Sequence, residues 1–210
     1  MMPPEARPKI SRNPEVVIGR ILDAAEAEFM RAGFEAASTN RITDAFGGSK
    51  ATLFRYFSSK EKLLAAVIER ISAEWAQHVR SPDEESDLPR EWLIGFSEQT
   101  LRWILSAPVL FIGRLGIAEG ANLPDLRHVF SHFAADPLHE IVADRFAGWM
   151  QQGKLAPACA LTLAGHFMDL VISGPVSRAL YGVDLLEGSQ LTAHAVSAVE
   201  LFLGGAQIRR

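Results

Sequence analysis

A single cysteine, Cys159, stands among 210 residues, which excludes a disulfide framework and any cysteine-rich zinc module. Long apolar runs are missing as well. The longest stretch without a charge, Leu155 to Met168, covers 14 residues and includes a proline and a histidine. A membrane-crossing helix needs about 20 apolar residues, so none is predicted. The first 20 residues carry Arg7, Lys9, Arg12 and Arg20 without an apolar core, so no secretory signal is expected. No HExxH, GxSxG or P-loop string occurs, and neither does an internal repeat or a low-complexity tract. With 48% hydrophobic, 22% charged and 9% aromatic residues, the chain has the material for a packed core and is not intrinsically disordered. A soluble cytoplasmic protein of one large domain or two small ones is expected.

The net charge of −4 hides an asymmetry. Residues 1–80 hold 12 Lys+Arg against 10 Asp+Glu, whereas residues 81–210 hold 9 against 15. Between Ser38 and Phe57 the charges are Arg41, Lys50 and Arg55 against Asp44 alone. A locally basic segment on an acidic body suits nucleic-acid binding by one end.

Hydrophobic spacing is helical nearly throughout, and no alternating run flanked by hairpin turns calls for strands. The predicted fold class is all-α. Ile18, Leu22, Ala25 and Phe29 form one amphipathic stripe, opened by Asn13-Pro14-Glu15 and closed by Gly33. Later stripes are Leu64, Val67, Ile71 and Trp75, then Trp92, Phe96 and Trp103. Residues 81–89 (SPDEESDLP) read as a polar loop bounded by prolines. Two final helices, about 158–180 and 189–207, are apolar on more than one side. They are covered either by a partner in a two-fold four-helix bundle or within one subunit.

Residues 38–57 read STNRITDAFGGSKATLFRYF. Ser38 or Thr39 can cap a short helix with Ile42, Ala45 and Phe46 facing inward. Gly47-Gly48 breaks it and Ser49 caps the next, which makes a helix-turn-helix. At about 100° per residue, Lys50, Ala51, Phe54 and Arg55 share one face of the second helix. Leu53 and Phe57 point toward the first helix, with Thr52 and Tyr56 on the flank. Lys50 and Arg55 can meet phosphates or guanine edges, and Phe54 can pack on thymine methyls or sugars. The same pattern also describes a solvated helical hairpin. Ser58 and Glu61 are expected to form a capping box for the following helix. Lys60 then falls in a first turn, where a cation is unfavourable and an external phosphate would explain it.

The string Gly33-Phe34 … Ser38 … Ile42 … Gly47-Gly48-Ser49-Lys50-Ala51-Thr52-Leu53-Phe54-Arg55-Tyr56-Phe57-Ser58-Ser59-Lys60-Glu61-Lys62-Leu63-Leu64 resembles the DNA-binding domain of TetR-family transcriptional regulators. The family wording is GF…TS…IA..AGVSKGTLY.YF.SKE.LL, and the match covers about residues 16–67. The stretch RLGIAEGANLPDLRHVF…GKL is similar to the ligand-binding region of an AefR-like branch. Some positions depart from the wording. Gly48 replaces an aliphatic residue that anchors the turn, which is expected to loosen it, and Phe46 replaces a small alanine, so the ring can fill the volume vacated at Gly48. Ala51 stands where glycine is frequent. Phe54 replaces a tyrosine, removing a hydroxyl worth about 1 kcal/mol at most.

The resemblance implies an N-terminal three-helix DNA-binding domain and a C-terminal helical domain for ligand binding and dimerisation. The expected division is a flexible tail over 1–12, the helix-turn-helix domain over 13–57, a connecting helix over 58–80, and the second domain over 81–210. It implies DNA contacts from Ser38, Thr39 and Asn40, from Lys50, Ala51, Thr52, Phe54, Arg55 and Tyr56, and from Lys60 on phosphate. Asn40 can read adenine through two hydrogen bonds, although it equally reads as an exposed first-turn residue. Arg7, Lys9 and Arg12 either add backbone or minor-groove contacts or form a loose tail. The implied protein is a homodimeric repressor, joined through its last two helices and released from a duplex-DNA operator by a small apolar inducer. It needs no cofactor and is not an enzyme.

Other candidates remain open at this level. His128 and His132 are four apart, with Asp136, His139 and Glu140 after them, a spacing that suits a metal. Asp136-Pro137 equally reads as the cap and first turn of a new helix. Cys159 has no obvious base beside it. His166 and Asp169 are either buried in a pocket or interface or exposed at a helix edge. Trp92, Phe96, Trp103, Phe111, Phe133, Trp149, His166 and Phe167 are the candidate pocket, although such aromatics equally form plain core. A different class, an all-α carrier or enzyme using that cavity, would fail a gel shift with upstream DNA.

Overall fold

The computed structural model describes residues 13–79, 88–123, 126, 136–183 and 185–206, and every described element is helical. The first helix, α1 (Pro14–Ala36), begins as its sequence dictates. The Asn13 side chain accepts the Glu15 N–H at 3.0 Å, Pro14 supplies a pre-set φ, and Glu15 faces the positive end of the dipole. Val17, Ile21, Leu22, Ala25 and Phe29 are buried, whereas Ile18 lies half-buried at the edge of the stripe. At Gly33 the backbone leaves helical geometry (φ 76°, ψ 168°), a conformation that favours glycine, and one further turn runs to Ala36.

Three helices follow in the same compact unit: α2 (Thr39–Phe46), α3 (Lys50–Tyr56) and α4 (Lys60–Val79). Ile21, Phe29, Ile42, Leu53, Leu64 and Ile68 are essentially sealed from solvent. Arg70 of α4 ties back to α1, with Nη1 on Asp23 Oδ1 and Nη2 on Glu26 Oε2, both at 2.6 Å. Two local expectations are corrected. Ala45 is exposed and Thr43 takes the inward place, because Thr43 Oγ1 donates to Thr39 O at 2.6 Å and is buried without loss. The cap of α4 is Ser59 rather than Ser58, with Lys62 N–H donating to Ser59 Oγ at 3.2 Å. The Ser59 hydroxyl and the backbone hold the Glu61 carboxyl below its ordinary range. Because α4 begins at Lys60, the cap slips by one residue and Lys62 takes the third helical position, where a lysine cannot supply the reciprocal half of a capping box.

The chain divides within α4, after Ile71, and the first unit also takes in Leu115–Val129. The second unit contains α5 (Pro89–Ile104), the start of α6 (Ala107–Glu119), α7 (Asp136–Gln151), α8 (Ala160–Leu180) and α9 (Ser189–Ala206). Pro89 is the first residue of α5 rather than the end of a loop, its missing N–H being one that no helix uses. In this unit α7 packs on α8, and α9 on both α5 and α8.

Aromatic rings fill its core. Trp92 stacks on Phe96 at 5.0 Å and meets Trp149 edge-on at 5.6 Å. Phe146 stacks on Phe202 at 5.2 Å, and Phe167 meets both. Pro175 lies buried inside α8 and has no N–H, so Val171 O lacks its usual donor four residues on. His194 Nε2 of α9 lies 2.8 Å from that carbonyl and donates to it. The last carbonyls of α8 are capped in turn by Arg114, which reaches Ala179 O at 2.7 Å and Leu180 O at 3.2 Å. No single helix among the described residues is long and apolar enough to cross a membrane.

Candidate nucleic-acid interface

The turn between α2 and α3 is closed by its glycines. Gly47 adopts the left-handed conformation (φ 75°, ψ 25°) and donates to Asp44 O, while Gly48 N–H donates to Thr43 O at 3.1 Å. A β-carbon at Gly48 would lie 1.9 Å from Cε2 of Phe46 and 2.6 Å from Cζ. The Phe46 ring, buried in the core, therefore occupies the space that an aliphatic residue at 48 would need. Ser49 caps α3 by accepting the Thr52 N–H at 3.1 Å.

The turn fixes which way α3 faces. Leu53 is buried against the first unit's core, and Thr52, Tyr56 and Phe57 are half-buried. Lys50, Ala51, Phe54 and Arg55 are exposed together, Phe54 at 45%. The Arg55 guanidinium lies over the Tyr56 ring, 4.9 Å from its centroid, with Nη2 donating to the hydroxyl at 3.3 Å. That stacking limits the conformations of a long cation before it meets a phosphate. Asn40 is exposed at the start of α2, and Ser38 and Thr39 are half-buried beside it.

Lys60 has a partner within the chain. Its Nζ donates to Glu35 O at 3.0 Å and sits 4.6 Å from the centre of the Phe34 ring. The end of α1 thus explains a cation in the first turn of α4 without an external phosphate.

Sequence patterning missed two residues here. Glu28 lies on the apolar arc of α1, seven residues after Ile21, yet is only 6% exposed. Its Oε1 and Oε2 accept from Arg31 at 2.8 and 2.9 Å, and Oε1 also accepts the Ser38 N–H at 3.0 Å. The Arg31 guanidinium first, and then that N–H, hold the carboxyl below the ordinary range. The second is Arg20, whose guanidinium comes within 3.4 Å of where a Gly47 β-carbon would stand.

Of the candidate pocket residues, Trp92, Phe96, Trp149 and Phe167 come together in the second unit's core. Trp103 packs along its edge and Phe111 is half-buried. His166 and Asp169 are both exposed on α8. Phe133, His128, His132 and the side chain of Asp136 lie outside the described residues, as do Arg7, Lys9 and Arg12. Among the described residues no group of three or more potential ligands could hold a metal. The Ser97 and Thr100 hydroxyls on α5 and the Trp149 indole N–H are buried without a hydrogen-bond partner among the described residues.

A short helix, a glycine turn and a second helix presenting cations outward define the helix-turn-helix class of DNA-binding fold. Comparison with known proteins specifies it further. The model for "Bacterial regulatory proteins, tetR family" matches residues 21–67, and that for "AefR-like transcriptional repressor, C-terminal domain" matches residues 91–205. The chain belongs to the TetR family of regulators, with an AefR-like C-terminal domain. It is 36% identical to the repressor AcnR of Corynebacterium efficiens, over 77% of this chain and 81% of that one. Against an uncharacterized HTH-type regulator of Mycobacterium tuberculosis it is 34% identical over 48% of this chain, and it spans about half (50%) of that relative's length. A TetR-family structure from Mesorhizobium loti superposes with a TM-score of 0.85 at 21% identity, covering 95% of this chain and 100% of that one. The flavonoid-responsive regulator FrrA superposes at 0.75 with 24% identity, covering 92% and 98%.

Proposed function

We propose that this chain is a cytoplasmic homodimeric repressor that binds a two-fold operator through α2 and α3 and leaves it when a small ligand binds. The observation that carries this reading is the exposed face of Lys50, Ala51, Phe54 and Arg55, backed by the buried Leu53. Thr39 and Asn40 read bases or phosphates from the start of α2, and Thr52 and Tyr56 flank the groove. Lys60 adds a phosphate contact with the ammonium hydrogens not donated to Glu35 O.

Dimerisation runs through α8 and α9. Leu161, Leu170 and Leu201 are exposed there, and a partner's matching helices bury them in a four-helix bundle. Residues 13–57 then serve as the DNA-binding part, 58–80 as the connector, and 81–210 as the ligand-binding and dimerisation part. The ligand enters the aromatic core around Trp92, Phe96, Trp149 and Phe167. The Ser97, Thr100 and Trp149 groups, without a partner among the described residues, favour a largely apolar compound bearing at least one hydroxyl or carbonyl. FrrA, by its name, responds to flavonoids, which are of that chemistry.

Helix α4 and helix α6 are each shared between the two units, so both are covalent routes from ligand to operator. A flavonoid or similar aromatic compound chosen because it raises the protein's thermal midpoint is expected to bind about 5- to 150-fold more weakly with operator saturating. Calorimetric titration with and without operator reads this directly. Equal affinities in the two titrations contradict induction by release.

A further inference from the structure

We infer that Glu28, a residue no DNA would touch, is a positioning residue for base reading: its buried carboxylate holds the start of α2. The inference rests on the DNA-binding role proposed above. Ser38 is the cap of α2, yet its side chain makes no capping hydrogen bond and the first turn of α2 contains no acidic residue. Both deficits are met from α1. Glu28 Oε1 accepts the Ser38 backbone N–H at 3.0 Å, which is the half of a capping box normally supplied from within the same helix. The carboxylate also brings negative charge to the positive end of α2.

The clamp is rigid. Arg31 grips both carboxylate oxygens, at 2.8 and 2.9 Å, and so fixes the plane of the group that receives Ser38. Burial of Glu28 leaves few alternative rotamers. Thr43 Oγ1 on Thr39 O, at 2.6 Å, ties down the next residue from the other side. Asn40 follows directly, so its direction is set by the residues this clamp holds. Lys50 and Arg55 are placed from the other end of α2, by the Gly47-Gly48 turn on Asp44 O and Thr43 O and by Leu53, rather than by the end that Glu28 holds. Loss of the clamp therefore loosens base reading from α2 while the cations of α3 keep their hold on phosphate.

The test uses the full-length protein, an operator duplex selected by the unaltered protein from random DNA, and a scrambled duplex of equal length. Glu28→Gln is expected to bind the operator about tenfold more weakly, with the scrambled duplex changed less than twofold. Its base-preference profile should flatten at the position that Asn40→Ala also flattens. The double variant Glu28→Gln/Asn40→Ala should bind no more weakly than Asn40→Ala alone. Arg31 is 53% exposed and its replacement removes no apolar core contact, so Arg31→Gln reports on the same axis if Glu28→Gln does not fold. It should flatten the same position by about threefold. Equal losses on both duplexes, or additive losses with Asn40→Ala, overturn the inference. An unaltered protein without sequence preference overturns instead the DNA-binding reading beneath it.

Discussion

Gly48→Val alone is expected to destabilise the protein by about 3 kcal/mol, the upper range for overpacking a core. It should also abolish operator binding. The reason is geometric: the new β-carbon would stand 1.9 Å from a ring carbon of Phe46, and that ring is buried. The ring cannot yield without disturbing the core that buries it or tilting α2 against α3. Phe46→Ala is expected to cost a comparable amount, about 3–5 kcal/mol, by leaving a cavity. Combined, the two should recover most of the loss, because the aliphatic side chain at 48 then fills the space left by the ring. Chemical denaturation of the four proteins gives the coupling energy, and operator binding reports whether the turn is restored. Strictly additive losses would show that the two positions do not share one volume.

Lys50→Ala/Arg55→Ala is expected to weaken duplex binding on the order of a hundredfold in dilute salt, for any sequence. Two cations from each of two subunits no longer displace counterions, so the slope of log affinity against log salt should flatten by about 3–4. Asn40→Ala provides the contrast. It should cost about 1–3 kcal/mol on the operator, leave the salt slope unchanged and relax one position in each half-site. Binding isotherms at four or more salt concentrations separate the two behaviours. An unchanged slope in the double alanine variant contradicts the placement of these cations on phosphate.

The helix-turn-helix was legible because its signals are local. Gly47, the Ser49 cap, and the opposition of Leu53 to Lys50 and Arg55 all follow from spacing within 20 residues. The departures at 46 and 48 were legible together, since volume added at one matches volume removed at the other. What spacing could not supply were partners distant in sequence. Glu28 finds Ser38 across ten residues, and Lys60 finds Glu35 O across 25. Pro175 is visible in the sequence, but His194 as the donor that serves the carbonyl it strands is not. Ser97 and Thr100 fall on the apolar arc of α5 at positions Leu93+4 and Leu93+7, where periodicity alone reads hydroxyls as tolerated exceptions. The capping register at Ser58–Ser59 is not legible because two adjacent serines offer the same chemistry and only the start of α4 chooses between them.

DNA selection from a random library by the full-length protein tests the central claim most directly. The predicted result is one enriched, two-fold symmetric motif with half-site centres about 34 Å apart along the duplex, or somewhat more, bound by a dimer. Recovery of duplexes with no shared motif, at an affinity equal to that of the unselected pool, would contradict it.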